Sequence, residues 1–302
     1  MAAQRRAVID LGTNTFHLLI ADLHSDGRIE EVYRERRFVK LASEGIATIG
    51  AAPFTRGIES LNHYKKILKE YKCIDLKAIG TAALRTATNG PDFVRAARQT
   101  AGIDVQLIPG DEEARLITRG VIAALPPLTE RVLIMDIGGG STEFIIADRQ
   151  TVFWRQSFPI GVSVLHNNFH AGDPIEPGAV TRLEAFLQET TAPLALALAD
   201  HPTHHLIGAA GTFDVLAEVL RAPDAAAHPT SHRLTLRGLD ELTDQIIGAT
   251  LAERLAMPGV PEQRADMIVV AMILIRFVNR LARIERITVS DWAMKEGILL
   301  SL

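Results

Sequence analysis

The chain writes one pattern twice. VIDLGTNTFHLLIAD at residues 8–22 and IMDIGGGSTEFIIAD at residues 134–148 align without a gap, 126 positions apart. Asp10 falls on Asp136, Gly12 on Gly138, and Ile20-Ala21-Asp22 on Ile146-Ala147-Asp148. Each copy is an apolar run closing on Asp, a tight turn of Gly, Ser, Thr or Asn, and a second apolar run. That pattern predicts a β-hairpin whose turn exposes backbone N–H groups. Such a turn cradles an anion. Two of them, each beside a carboxylate, predict two related domains closing on a phosphate and its metal ion.

A length of 302 residues is long for one core and suits two. With 47% apolar residues the chain reads as packed and globular. A net charge of −4 offers no broad basic footprint for nucleic acid, so a polyanionic ligand must meet a local cluster of Arg and Lys. The lone Cys73 excludes an internal disulfide and a thiolate metal cage, and points to a reducing cytoplasm. MAAQRR precedes only three apolar residues before Asp10, so neither a signal nor a transit peptide is expected. The longest apolar run, Met267 to Ile275, lies between Asp266 and Arg276 and is too short to span a bilayer. It reads as a buried helix, and no membrane partner is expected.

Along the chain, a third strand is expected from Ile29 to Leu41, carrying Arg34, Arg36, Arg37 and Lys40. Thr55 is expected to cap a helix reaching Tyr71, with Ile58, Leu61, Tyr64 and Leu68 on one face. A strand from Leu76 leads into AALRTATNG, a helix begins at Pro91, and Val105 to Ile108 forms another strand. PGDEEAR opens a helix that stops near Pro126-Pro127, the expected domain boundary. The second half repeats the order. Strands run to Phe158, helices start at Val162 and span Pro177 to Ala199, and a strand covers Leu206 to Gly208. Helices from Thr212, Arg237 and Pro261, a strand at Ile287 to Val289 and a closing helix complete it. Strands alternating with helices around duplicated hairpins give an α/β protein of two pseudo-symmetric domains, 1–126 and 127–302, with the last helix free to pack back on the first.

Several residues carry candidate chemistry. Asp10 and Asp136 each end a strand where a Gly turn begins, a placement that suits Mg²⁺ bridging to phosphate and equally suits an Asp capping its own turn. The duplication favours function. Gly138-Gly139-Gly140-Ser141-Thr142 lets the backbone approach an anion, flanked by Asp136 and Glu143. Glu112 and Glu113 open a helix, where acidic residues are favourable anyway. Adjacent helical residues point about 100° apart, so only one of the two faces a cleft. The sequence leaves open which one. Arg85, in GTAALR, follows a strand, and its planar fork suits phosphate, with a solvated surface arginine as an alternative of equal weight. Gly208-Ala-Ala-Gly211-Thr212 leaves a strand and opens a helix, so it is an anion turn or a plain connection. His166, His170, His201, His204 and His205 lack a zinc pattern and are expected at the surface.

DLGTNTFHLLIA, GTAALR, GDEEARL, DIGGGSTEF, GAAGT and SDWAMKEG, in this order, resemble the exopolyphosphatase and guanosine pentaphosphate phosphatase family. That family lies within the superfamily of sugar kinases, Hsp70 chaperones and actin. The resemblance covers essentially the whole chain, and GTAALR with GDEEARL is what marks the phosphatases. It implies a ribonuclease H-like fold in each half, with the active site in the interdomain cleft. It also implies Glu113 as catalytic base, Arg85 as a cleft arginine, and Asp136 with Glu143 at a divalent ion, Mg²⁺ or Mn²⁺, to which the reading of the residues adds Asp10 close by. Gly12, Thr13, Asn14, Gly138, Gly139, Gly140 and Ser141 match the phosphate turns, with Gly211 and Thr212 as a further anion turn. Three features depart from the family. GTNT stands where GSNS is common, Lys295 stands where Arg is frequent, and longer members continue into further domains that grip a phosphate chain.

The expected activity is metal-assisted attack by water on the terminal phosphate of polyphosphate or guanosine pentaphosphate, in a protein that pairs as a homodimer. The alternatives are a phosphotransferase passing that phosphate to ADP, and a non-catalytic actin-like nucleotide switch.

Overall fold

The first copy of the repeat folds as an antiparallel hairpin. In the computed structural model, which describes residues 3–222 and 228–302, β1 (Gln4–Leu11) pairs with β2 (Thr15–Leu23), Asp10 opposite His17 and Leu11 opposite Phe16. β3 (Ile29–Phe38) extends the hairpin on its β2 side. After helix α1 (Ala51–Glu70), β4 (Leu76–Gly80) returns parallel to β1. Helices α2 (Ala82–Thr86) and α3 (Gly90–Ala96) lead to β5 (Val105–Leu107), parallel to β4, and then to α4 (Gly110–Ala124). The sheet order is β3-β2-β1-β4-β5. Parallel neighbours need long crossovers, and the helices supply them. Ile9, Leu11, Phe16, Leu18 and Ile20 of the hairpin pack with Leu61 and Tyr64 of α1 and Phe93 of α3. Each such side chain contributes about 1.5–3 kcal/mol by leaving water. The Tyr64 hydroxyl is satisfied by donating to the Phe16 carbonyl at 2.9 Å.

The second copy repeats this path. β6 (Val132–Ile137) and β7 (Thr142–Ala147) form the hairpin, Asp136 opposite Glu143, and β8 (Val152–Phe158) extends it. Helices α5 (Val162–Phe169), α6 (Pro177–Thr190) and α7 (Ala192–Asp200) precede β9 (His205–Ala209), which lies parallel to β6. There follow α8 (Gly211–Leu220), β10 (Ser231–Arg233), α9 (Arg237–Gly248), α10 (Leu251–Ala256), α11 (Ile268–Ala282) and β11 (Arg286–Ser290). The order β10-β11-β9-β6-β7-β8 contains the same five-strand arrangement as the first sheet, which is ribonuclease H-like, as in the actin superfamily. The correspondence reaches irregularities: the ladder slips between Ile20 and Ala21, and again between Ile146 and Ala147. β6 and β7 are buried along their whole length, which explains their nearly unbroken apolar sequences. The Met267 to Ile275 run lies in α11, whose residues from Ile268 to Ile275 are all buried.

By packing, the chain divides into Met1–Gly120 with Met294–Leu302, and Val121–Ala293. The closing helix α12 (Met294–Leu299) packs on β1 of the first unit. Among the described residues no helix is long and apolar enough to cross a membrane.

Four local expectations need correction. α1 begins at Ala51, not Thr55, because Pro53 sits in the first turn, where its missing N–H costs nothing; the Thr55 hydroxyl bonds back to the Ala51 carbonyl. The single helix expected from Pro177 to Ala199 is two, since Pro193 starts a new one. Pro261 opens only a short 3-10 turn, Glu262–Arg264, ahead of α11. β3 stops at Phe38 because the next residues turn to brace the first glycine loop, and Lys40 takes a left-handed φ of 49° there.

Candidate active site

Both glycine turns are built alike. Gly12 N–H donates to Thr15 O at 3.1 Å and Gly138 N–H to Ser141 O at 3.0 Å. A Cβ on Gly12 would stand 2.9 Å from Thr15 O, and one on Gly138 3.0 Å from Ser141 O, so each turn excludes a side chain at its first position. Neighbouring backbone then ties the turn carbonyls back. Leu41 N–H donates to Thr13 O at 2.7 Å, and Val39 and Lys40 N–H both to Asn14 O at 2.9 Å. In the second unit, Val162 N–H donates to Gly138 O at 3.0 Å and Ser163 N–H to Gly139 O at 2.9 Å. With its carbonyls tied back, each turn has the form of a backbone nest. Thr13 is 2% exposed and its hydroxyl is buried without a hydrogen-bond partner, a polar group awaiting an acceptor or donor at the first turn.

Gly161 was not anticipated. Its Cα lies so close to the Gly139 carbonyl and the Gly140 nitrogen that no side chain fits, and it serves as N-cap of α5. The sequence signal was a lone glycine in PIGVS; its necessity is tertiary.

The carboxylates occupy distinct environments. Asp136 and Glu143, 7% and 1% exposed, are cross-strand partners, so their side chains share one face of the second sheet. Ser157 Oγ donates to Glu143 Oε1 at 2.6 Å and orients it. Two adjacent oxygen donors fit Mg²⁺ or Mn²⁺. Among the described residues no three His, Cys, Asp or Glu side chains are placed to hold a metal, so an ion here would complete its shell with water and phosphate oxygens, as Mg²⁺ commonly does. Asp10, in the first unit, is partly buried, and loss of hydration pushes its carboxyl up to about 6, against the opposing pull of Lys295 and with a further push from Glu296.

The fold separates the two glutamates at the start of α4. Glu112 makes a two-pronged ion pair with Arg115 at 2.7 and 2.8 Å on the outer face. Glu113 is 8% exposed and accepts from Arg85 Nη1 at 3.2 Å, while the same nitrogen donates to Ile108 O at 2.6 Å. GTAALR and GDEEARL thus meet through one arginine. Register explains the meeting: Thr81 N–H bonds Leu11 O and Ile108 N–H bonds Gly80 O, so the glycine turn, α2 and α4 all start from the carboxyl ends of parallel strands, where ligands bind in open α/β sheets.

In the second unit Asp136 pairs with Ala209, which places the Gly211-Thr212 turn at the same strand end as the GGG turn. Ala210, with φ 62° and ψ 172°, holds a conformation normally reserved for glycine. The Arg264 guanidinium lies directly over Gly211, a neighbour the sequence reading missed. Of the histidines expected at the surface, His205 is buried between Glu130 and Thr288, and desolvation lowers it to about 4. His166 and His170 meet edge to face, their ring centroids 4.9 Å apart.

Two units of ribonuclease H-like strand order, each with a glycine turn beside a carboxylate, Asp10 or Asp136, define an actin-like α/β fold class. The model of the Ppx/GppA phosphatase family matches residues 19–302, and the chain belongs to that family. An exopolyphosphatase from Cytophaga hutchinsonii superposes with a TM-score of 0.92 at 38% identity, over 99% of this chain and 97% of that one. The Aquifex aeolicus member of the Ppx/GppA family gives 0.80 at 26% identity, again over 99% and 97%. Exopolyphosphatase 1 of Mycobacterium tuberculosis is 29% identical across 98% of this chain and 87% of its own length.

Proposed function

We propose that the protein is a phosphohydrolase that removes the terminal phosphate of inorganic polyphosphate, and of guanosine pentaphosphate, by attack of water. The pairing of buried Glu113 with Arg85 at the carboxyl ends of the first sheet carries this reading. A binding module has no need of a shielded carboxylate held by an arginine beside phosphate turns.

In this mechanism the turns that Gly12 and Gly138 open hold the end phosphate through the amides that follow those glycines, Thr13 and Asn14 in one and Gly139 to Ser141 in the other, with Gly211 and Thr212 as a further anion turn. Glu113 accepts a proton from the attacking water as its oxygen bonds to phosphorus, and the bridging P–O bond breaks on the far side. The products are orthophosphate and a chain shorter by one unit. Arg85, anchored on the Ile108 carbonyl, orients Glu113 by a direct hydrogen bond and, with the turn amides, stabilises charge on the equatorial oxygens. Asp136 and Glu143 would hold Mg²⁺ or Mn²⁺, which supplies charge neutralisation and polarises phosphate oxygens.

The test is orthophosphate release from polyphosphate of several lengths and from guanosine pentaphosphate, under Mg²⁺ and Mn²⁺, with and without ADP. Glu113→Gln is expected to lower the rate roughly 10²- to 10⁴-fold without loss of fold. Wild-type turnover by Glu113→Gln sinks the base assignment, and phosphate appearing only as ATP sinks hydrolysis.

A further inference from the structure

Where α1 ends, away from the phosphate turns, the first unit carries a groove of about 410 Å³ that none of the chemistry above uses. Its floor is apolar, formed by Leu68, Cys73, Ala101 and Ile103, all buried. At its lip Ile74 is 97% exposed, a large apolar side chain left in water. Lys65, Lys69 and Lys72 line the same groove, and no carboxylate does.

The three lysines recur at helical spacing, so they share one stripe of α1 and the turn that follows it. Like charges so placed repel one another, with nothing in the lining to offset them. The walls are set by backbone, because Lys72 and Gly102 both hold left-handed conformations, φ 53° and 68°, and Cys73 N–H bonds the Leu68 carbonyl at 2.9 Å.

A cationic rim over an apolar floor has a definite complement. Inorganic phosphate or polyphosphate would leave the floor and Ile74 uncovered, and a neutral apolar molecule would leave the lysines uncompensated. The volume falls in the range of small-molecule sites. We propose that this groove binds a small molecule with an apolar body and a carboxylate or phosphate head, the body on the Cys73–Ile103 floor and the head between Lys69 and Lys72.

Cys73 is the chain's only cysteine, so its thiol reports on this groove alone. Decanoate titrated by calorimetry into the full chain, below its micelle concentration, is expected to bind and to slow Cys73 alkylation by iodoacetamide. Decyltrimethylammonium and inorganic phosphate are expected to do neither. Lys69→Glu combined with Lys72→Glu, at exposed positions outside the phosphate site, should weaken decanoate roughly tenfold while leaving phosphate release unchanged. The proposal is overturned if decanoate fails to bind, if the cationic detergent protects Cys73 equally, or if charge reversal leaves affinity intact. Binding to anionic lipid vesicles without binding of free decanoate would assign the groove to a bilayer surface and also overturn it. Because neither readout uses turnover, failure here leaves the phosphohydrolase reading standing, and the converse holds too.

Discussion

Glu112 and Glu113 have the same side chain and opposite fates, which makes them the sharpest single-residue test of the site. Glu112 is held by Arg115 on the outer face, so Glu112→Gln forfeits one half-exposed ion pair, worth about 0.2–1 kcal/mol, and should turn over like wild type. Arg85 is the less forgiving neighbour. One of its nitrogens bridges Ile108 O and Glu113, and a lysine cannot reproduce a planar fork. Arg85→Lys is therefore expected to lose roughly 10² in kcat, measured by steady-state phosphate release, with thermal stability kept. Equal losses in Glu112→Gln and Arg85→Lys would mean the helix start, not the paired glutamate, matters. Asp10 makes a prediction of opposite kind. Its carboxyl is raised from 3.8 to about 6, so the folded state holds the proton more tightly, and stability erodes as pH rises between those values. The deficit is complete above pH 6, and Asp10→Asn should remove it. In metal-free urea melts the variant should gain on the order of 2 kcal/mol at pH 8 and nothing near pH 4. A gain that stays constant across that range would place its cause elsewhere than ionisation.

Elements divide by whether their cause is local. The two hairpins were legible because the apolar runs, the closing Asp and the glycine turn all lie within one short segment, and because the chain states them twice. The α11 core helix was legible from its unbroken apolar run. The break at Pro193, the early stop of β3 and the need for Gly161 were not, for each depends on what another part of the chain does nearby. Val39 to Leu41 leave the strand to hold the carbonyls of Thr13 and Asn14, and only the folded backbone shows that. Likewise the sequence marked Arg85 and the Glu pair as chemically apt but could not say that one Arg85 nitrogen bonds Glu113 and the Ile108 carbonyl together. Gly161 offers the cleanest measurement at this scale. An alanine methyl there meets the Gly139 peptide, and overpacking of this sort costs about 1–3 kcal/mol and displaces the GGG turn proposed to hold phosphate. Gly161→Ala should thus raise KM for polyphosphate and lower the melting temperature. The control is Gly248→Ala, where nothing lies within 4 Å of the added methyl, and it should be neutral or slightly stabilising. If the two variants behave alike, the brace is not what shapes the turn.

At the scale of the molecule, the first unit is not finished until the last helix is made. α12 buries five of its six residues, Met294, Glu296, Gly297, Ile298 and Leu299. Gly297 rests on the Leu116 carbonyl, one turn beyond Glu113, so α12 touches the helix that carries the proposed base as well as the strand that carries Asp10. Glu296, 1% exposed, accepts from Arg34 Nη2 of β3 at 2.9 Å, and Arg34 also holds Glu31 at 2.8 Å. Lys295, one residue earlier, draws the Asp10 carboxyl downward while Glu296 pushes it up. The closing helix therefore serves both packing and the charge state of Asp10 beside the first glycine turn, and the roles of Lys295 and Glu296 can be pulled apart by mutation. Removing one partner of a buried ion pair costs about 3–5 kcal/mol; since Arg34 keeps Glu31, Glu296→Ala belongs at or below the low end of that range. Lys295→Met should leave packing alone and instead raise the Asp10 carboxyl further, which would widen the pH range over which stability falls. Urea melts of both variants from pH 4 to pH 8 separate the two effects: a loss already present at pH 4 for Glu296→Ala, and a loss confined to the upper part of the range for Lys295→Met. Parallel curves for the two would show that α12 acts on the first unit by packing alone.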